Sequence, residues 1–192
     1  ALLPNLQGKQ LILVEDLVSK EGLLHPVQQA MVNYHGSQCG FCTPGFIMSL
    51  FSMFKKNSKF KNVEIKDSLA GNLCRCTGYQ PIIKAAKSLK YKNKIDQFSK
   101  NKKSTINLLK KINNKSVEIY YKGKKYFAPR YITELKKIIK KNPEVNFFSG
   151  GTDLSLIVTK ERKDINSIVY MNSIRELQYI KNNNKYIEIG AS

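Results

Sequence analysis

Hydrophobic positions recur at helical spacing along residues 26–90, in four short runs separated by polar or glycine-bearing breaks. From Pro26 the apolar residues Val27, Ala30, Met31 and Tyr34 fall at i, i+3, i+4 and i+7, with proline in a first helical turn and Gly36 as a stop. Thr43-Pro44 repeats that start signal. Phe46, Ile47, Leu50, Phe51 and Phe54 then line a broad apolar face, which the polar stretch 55–59 ends. A third, short helix is predicted around 63–70, broken at Gly71-Asn72, and a fourth from Pro81 with Ile82, Ile83, Ala86 and Leu89 on one face. The periodicity predicts an all-α, four-helix unit.

Beyond residue 90 the pattern changes. Residues 91–125 are rich in Lys, Asn and Ser with weak periodicity apart from Ile106, Leu108, Leu109 and Ile112, which predicts a linker. After Pro129 a helix carried by Ile132, Leu135, Ile138 and Ile139 gives way to strands at 146–149, 168–170 and 186–189. The expected fold class is α+β: residues 26–90 form the helical domain, 91–125 the linker, and 126–192 the opening of an α+β domain.

Composition changes this picture little. A hydrophobic content of 42% in 192 residues supports a real core. The longest nearly apolar stretch, 46–54, is too short to cross a bilayer as a helix, so a soluble, cytoplasmic protein without a membrane partner is expected. A formal charge of +19 would ordinarily point to nucleic acid. Here the cations are nearly all Lys, scattered among Asn and Ile whose codons are also AT-rich, and only Arg75, Arg130, Arg162 and Arg175 are Arg; no nucleic-acid partner is expected. The chain opens on Ala1-Leu2-Leu3-Pro4, with neither an initiating Met nor a signal peptide, and closes on a strand-like run into Gly190; truncation at both ends is expected.

The chemistry lies in the cysteines. All four sit in two close pairs, Cys39-Gly40-Phe41-Cys42 and Cys74-Arg75-Cys76, and each pair precedes a helix start with proline. Unpaired backbone N–H groups and the positive end of a helix dipole favour bound negative charge there. Gly40, Gly71 and Gly78 permit close backbone approach to cluster sulfurs. The spacing alone suits a 2Fe-2S cluster or a structural zinc, with two disulfides the poorest fit.

The surrounding runs carry a resemblance. His25-Pro26-Val27-Gln28-Gln29-Ala30-Met31, Gln38-Cys39-Gly40-Phe41-Cys42-Thr43-Pro44-Gly45-Phe46 and Gly71-Asn72-Leu73-Cys74-Arg75-Cys76-Thr77-Gly78-Tyr79 resemble the helical 2Fe-2S domain of the xanthine oxidase family of molybdenum hydroxylases. Phe127-Ala128-Pro129, Glu134-Leu135, the run 148–154 and Ile189-Gly190-Ala191 resemble the first portion of that family's flavin domain. An iron-sulfur domain followed on one chain by a flavin domain is similar to the small subunits of bacterial-type xanthine dehydrogenases.

The resemblance implies that Cys39, Cys42, Cys74 and Cys76 ligate a 2Fe-2S cluster. It implies that Phe147, Phe148, Ser149, Gly150, Gly151, Thr152, Asp153 and Leu154 contact FAD, in a site incomplete within these 192 residues. Without it, Gly150-Gly151 would read as a plain turn. Gln38 is expected near a molybdopterin held by a molybdenum-binding large subunit. Residues 1–25 would be the tail of the family's N-terminal ferredoxin-like domain, and the remainder of the FAD domain would follow Ser192. The implied activity is oxidation of hypoxanthine or xanthine, with electrons passing to FAD and NAD. Two rivals stand beside it: a relative acting on an aldehyde or nitrogen heterocycle, and a zinc-stabilised, Lys-rich binding module. His25, before Pro26, fits a helix start better than a ligand, and no acid-base or nucleophilic constellation assigns a catalytic residue.

Overall fold

The computed structural model describes residues 3–56, 61–89, 96–112 and 115–192, so parts of the predicted helix stop at 55–59 and of the linker lie outside the described residues. Two compact units are present: residues 10–107, and the described residues of 1–9 with 108–192.

The first unit holds the four predicted helices: α1 (Pro26–Asn33), α2 (Thr43–Lys56), α3 (Asn62–Leu69) and α4 (Gln80–Ser88). One apolar stripe per helix turns inward. Phe46, Leu50 and Phe54 of α2, Val27 of α1, Ile65 of α3 and Ile82 of α4 are fully buried in one core. His25 caps α1, its Nδ1 accepting the Val27 N–H at 3.3 Å while its own N–H donates to Gln28 Oε1 at 3.0 Å. The segment 10–25 lies in this unit as well. Leu17 joins the core, and Gln28 donates to the Val14 carbonyl at 3.1 Å. A short helix, α5 (Gln97–Lys100), follows, fixed by Lys55 Nζ to Asp96 at 2.9 Å and by His25 Nε2 to Asp96 at 3.3 Å. Then comes α6 (Lys102–Ile112), inside the stretch expected to be a linker and with no buried residue.

The second unit is a mixed sheet ordered β1-β2-β4-β3. Strand β1 (Val117–Tyr121) pairs antiparallel with β2 (Lys124–Ala128), while β4 (Ser167–Tyr170) lies parallel to both β2 and β3 (Asn146–Phe148). Side chains alternate across the sheet. Phe127 and Val169 face Leu135 and Ile138 of α7 (Ile132–Lys141), whereas Tyr126, Ala128, Phe148 and Ile168 form a smaller cluster on which Leu154 of α8 (Leu154–Thr159) packs. A hairpin of β5 (Ile180–Asn183) and β6 (Tyr186–Ile189) stands apart from this sheet. The predicted α7, β3, β4 and β6 are present within a residue or so; β1, β2 and β5 are additions. The β1–β2 turn runs through Lys122 and Gly123, both at positive φ, a primed turn without the Asn-Gly signature that would announce it.

Candidate metal centre

The loops leading into α2 and α4 bring all four cysteine thiols together, and none is in a disulfide. Gly40, at φ +85°, turns the first loop so that Cys39 and Cys42 both face the second; no neighbour crowds it, so conformation alone asks for glycine there. The second loop is pinned to α2. Asn72 donates to Ser49 Oγ at 2.7 Å and lies against Gly45, where a Cβ would meet its Oδ1 at 2.8 Å. Tyr79 adopts a left-handed conformation at the head of α4, with φ +67°, and its ring meets Phe46 edge-on at 6.3 Å. Its hydroxyl accepts the Cys74 N–H at 3.0 Å.

The thiols meet across the loops rather than within them. Cys76 Sγ lies 3.5 Å from Cys39 Sγ, and Cys42 and Cys74 face the same hollow. Together with Phe41, Leu73, Arg75 and Tyr79 they line a hollow of about 380 Å³. Among the described residues no three His, Cys, Asp or Glu gather around one ion-sized point. A 2Fe-2S cluster spreads four thiolate ligands over two irons, whereas a structural zinc gathers four at one point.

The sulfurs differ electrostatically. The Thr77 hydroxyl at 3.1 Å and the Thr77 N–H at 3.5 Å hold the Cys74 thiol down to about 7. The Phe41 N–H lowers Cys39, aided by Cys76. Cys42 is raised by its partial burial and by Cys74, and Cys76 is raised by donating to Cys39. Backbone N–H groups lower all four thiols and outweigh the opposing effects at Cys39 and, with the Thr77 hydroxyl, at Cys74, as expected where thiolates gather before helix N-termini. Phe41 is 94% and Leu73 82% exposed, so the rim of the hollow is apolar and open.

Gln38 is exposed next to Cys39. In the other unit, Phe147 is exposed but Phe148 is buried against Tyr126, Ala128 and Ile168, so a ligand at this loop meets the backbone of residue 148. Ser149 Oγ donates to Asn172 Oδ1 at 2.6 Å. Gly151 sits at φ +71°, and a Cβ there would lie 2.3 Å from the Phe148 ring; Gly150 has open space. Of the two glycines, then, Gly151 is required by packing, and Gly150 is the one whose bare backbone faces outward. Thr152, Asp153 and Leu154 lead into α8, and the Ser155 N–H donates to the Gly151 carbonyl at 3.1 Å. In the sequence Thr77 and Tyr79 only close the run 71–79; nothing in their spacing signals that both touch Cys74.

Residues 13–87 match the model of a 2Fe-2S binding domain, and residues 117–192 that of the FAD binding domain in molybdopterin dehydrogenase. Xanthine dehydrogenase 1 of Arabidopsis thaliana is 53% identical over 87 residues, and aldehyde oxidase 3 of Mus musculus 44% over 84 residues. Each match covers 44% of this chain and 6% of the relative's length. Among solved structures, quinoline 2-oxidoreductase from Pseudomonas putida 86 is 38% identical with a TM-score of 0.38, over 40% of this chain and 46% of that one.

Proposed function

We propose that this chain, a segment of the molybdenum hydroxylase family with a 2Fe-2S binding domain ahead of the start of an FAD binding domain, relays electrons between a molybdenum centre and flavin. One observation carries this reading: four free thiols from two loops converge on a single hollow, with Cys39 and Cys76 in contact across the loops.

The residues fit the group. Cys39 with Cys76 would hold one iron and Cys42 with Cys74 the other. Such a cluster supplies one-electron passage, and no side chain of this segment makes or breaks a substrate bond. The chain's own part is to hold the thiolates, supply N–H and O–H donors to their sulfurs, and present the Phe41 and Leu73 rim that a partner covers to exclude water. That partner would be the molybdenum-binding large subunit, with Gln38 near its molybdopterin. The loop 147–154 would meet FAD through its backbone, Gly150 nearest the pyrophosphate.

Hypoxanthine or xanthine is the proposed substrate, and the similarity to xanthine dehydrogenases supports it. A comparable similarity to aldehyde oxidases keeps an aldehyde as the second reading. Iron and sulfide analysis of anaerobically purified protein, with its visible spectrum, tests the relay; about two irons and two sulfides per chain are expected. Colourless protein with one zinc per chain would refute it. Assays of the co-purified large subunit with xanthine, an aldehyde and quinoline decide the substrate.

A further inference from the structure

The second cysteine loop contains a donor relay that the ligand set does not require. The Tyr79 N–H donates to Thr77 Oγ1 at 3.2 Å, and Thr77 Oγ1 stands 3.1 Å from Cys74 Sγ. Once Cys74 is a metal-bound thiolate its sulfur carries no proton, so the hydroxyl must be the donor. With one oxygen lone pair occupied by the Tyr79 N–H, the Thr77 proton is directed at the sulfur. Cys74 is also the most buried of the four cysteines, at 8% exposure, where a hydrogen bond meets the least competition from water. The backbone conformation that aims the Tyr79 N–H is the left-handed one at φ +67°, held by the Tyr79 ring on Phe46 and by its hydroxyl on the Cys74 N–H.

We infer that Thr77 is a positioning residue that sets the reduction potential of the proposed cluster, by donating its hydroxyl to Cys74 Sγ. This rests on the four-cysteine reading above. Reduction adds one electron and one negative charge, shared by iron and its thiolate ligands. A donor aimed at a thiolate sulfur therefore stabilises the reduced form more than the oxidised form and raises the potential. Tyr79 acts one step further out: by accepting the Cys74 N–H it keeps that proton engaged, and by donating to Thr77 it fixes the hydroxyl's direction.

The test is a redox titration of the cluster-loaded protein, followed by the electron paramagnetic resonance of the reduced form, for the wild type and for Thr77→Val, Thr77→Ala and Thr77→Ser. Iron, sulfide and visible absorption are measured on each. The Val and Ala variants are expected to load fully and to show a midpoint potential shifted negative, and the Ser variant, which keeps the hydroxyl, to return close to the wild type. A potential unchanged in a fully loaded Val or Ala variant overturns the inference, as does a Ser variant displaced as far as Val. Loss of the cluster from both Val and Ala variants also overturns it, because Thr77 would then hold the loop rather than tune it. A wild type without iron would instead bring down the four-cysteine reading itself.

Discussion

The cysteine loops and the Gly150-Gly151 loop are both connections into a helix, yet they are supported very differently. The cysteine loops rest on a single core in which Phe46, Leu50 and Phe54 are fully buried, and are tied to it through Asn72 to Ser49 and Tyr79 to Phe46. The glycine loop leads into α8, a short helix with no buried residue, and is held by Ser149 to Asn172 and by the fit of Gly151 against Phe148. One site is a set of side chains on a rigid base; the other is a stretch of backbone whose shape depends on one packed ring.

The largest effect should come from replacing any one of Cys39, Cys42, Cys74 or Cys76 with Ser. Iron content is expected to fall to a small fraction of the wild type and the helical unit to melt at lower temperature, because ligand binding and folding are linked in a small metal-held domain. Wild-type iron in one variant would remove that cysteine from the ligand set and break the comparison on its better-supported side.

Next in size is the contrast between the two glycines. Gly151→Val places a side chain into the Phe148 ring at positive φ, and should cost the sheet unit on the order of 3 kcal/mol, read by chemical denaturation. Gly150→Val meets nothing, and should change stability by about 0.5 kcal/mol or less while weakening FAD in the full-length enzyme by tenfold or more. Iron should be intact in both. Equal stability losses would show that the loop does not rest on Phe148, and unchanged FAD affinity in Gly150→Val would place the pyrophosphate elsewhere.

Smaller still is the loss of one support within the cysteine loop. Tyr79→Phe leaves the Cys74 N–H without its acceptor and should destabilise the helical unit by about 1 kcal/mol, with iron retained. An undiminished melting temperature would mean that the hydroxyl carries no weight there.

The two units should also part on acidification, by the smallest margin. Burial pushes His25 below its ordinary 6.5, with Asp96 opposing and Lys55 assisting. Below pH 6.5 the unfolded chain therefore takes up a proton that the folded helical unit refuses, and stability falls until the folded value is reached. In the sheet unit, the Ser116 hydroxyl and the Arg130 N–H hold Glu134 below 4.5, so its contribution is lost only at lower pH. Between pH 7 and 5.5 the wild type should lose more stability than His25→Asn, which keeps a cap at the head of α1. Parallel pH curves for the two proteins would remove His25 as the cause.

By itself the sequence determined the helical unit and singled out its four cysteines. Helices α1 to α4 were legible because each buries one stripe at a 3.6-residue period, and the four cysteines because their spacing is local and their chemistry narrow. It also placed α7, β3 and β4, whose apolar runs fill the core of the sheet unit. What escaped it was exposed or distant in sequence. Strand β1 buries little, and the apolar positions Ile106, Leu109 and Ile112 of α6 are not buried and lie in a Lys- and Asn-rich stretch that otherwise lacks periodicity. The segment 10–25 gains its place from Leu17 in the core and from the Gln28 and Gln97 amides on its backbone, contacts that span 14 to 81 residues. Tertiary structure alone decided that Cys39 meets Cys76 across the loops and that Thr77 and Tyr79 both reach Cys74. It likewise separated Gly151, which the Phe148 ring requires, from Gly150, which it does not. The physical reason is the same in each case: a residue type announces which bond it is able to make, but partner and direction are set by the packing that brings two segments together.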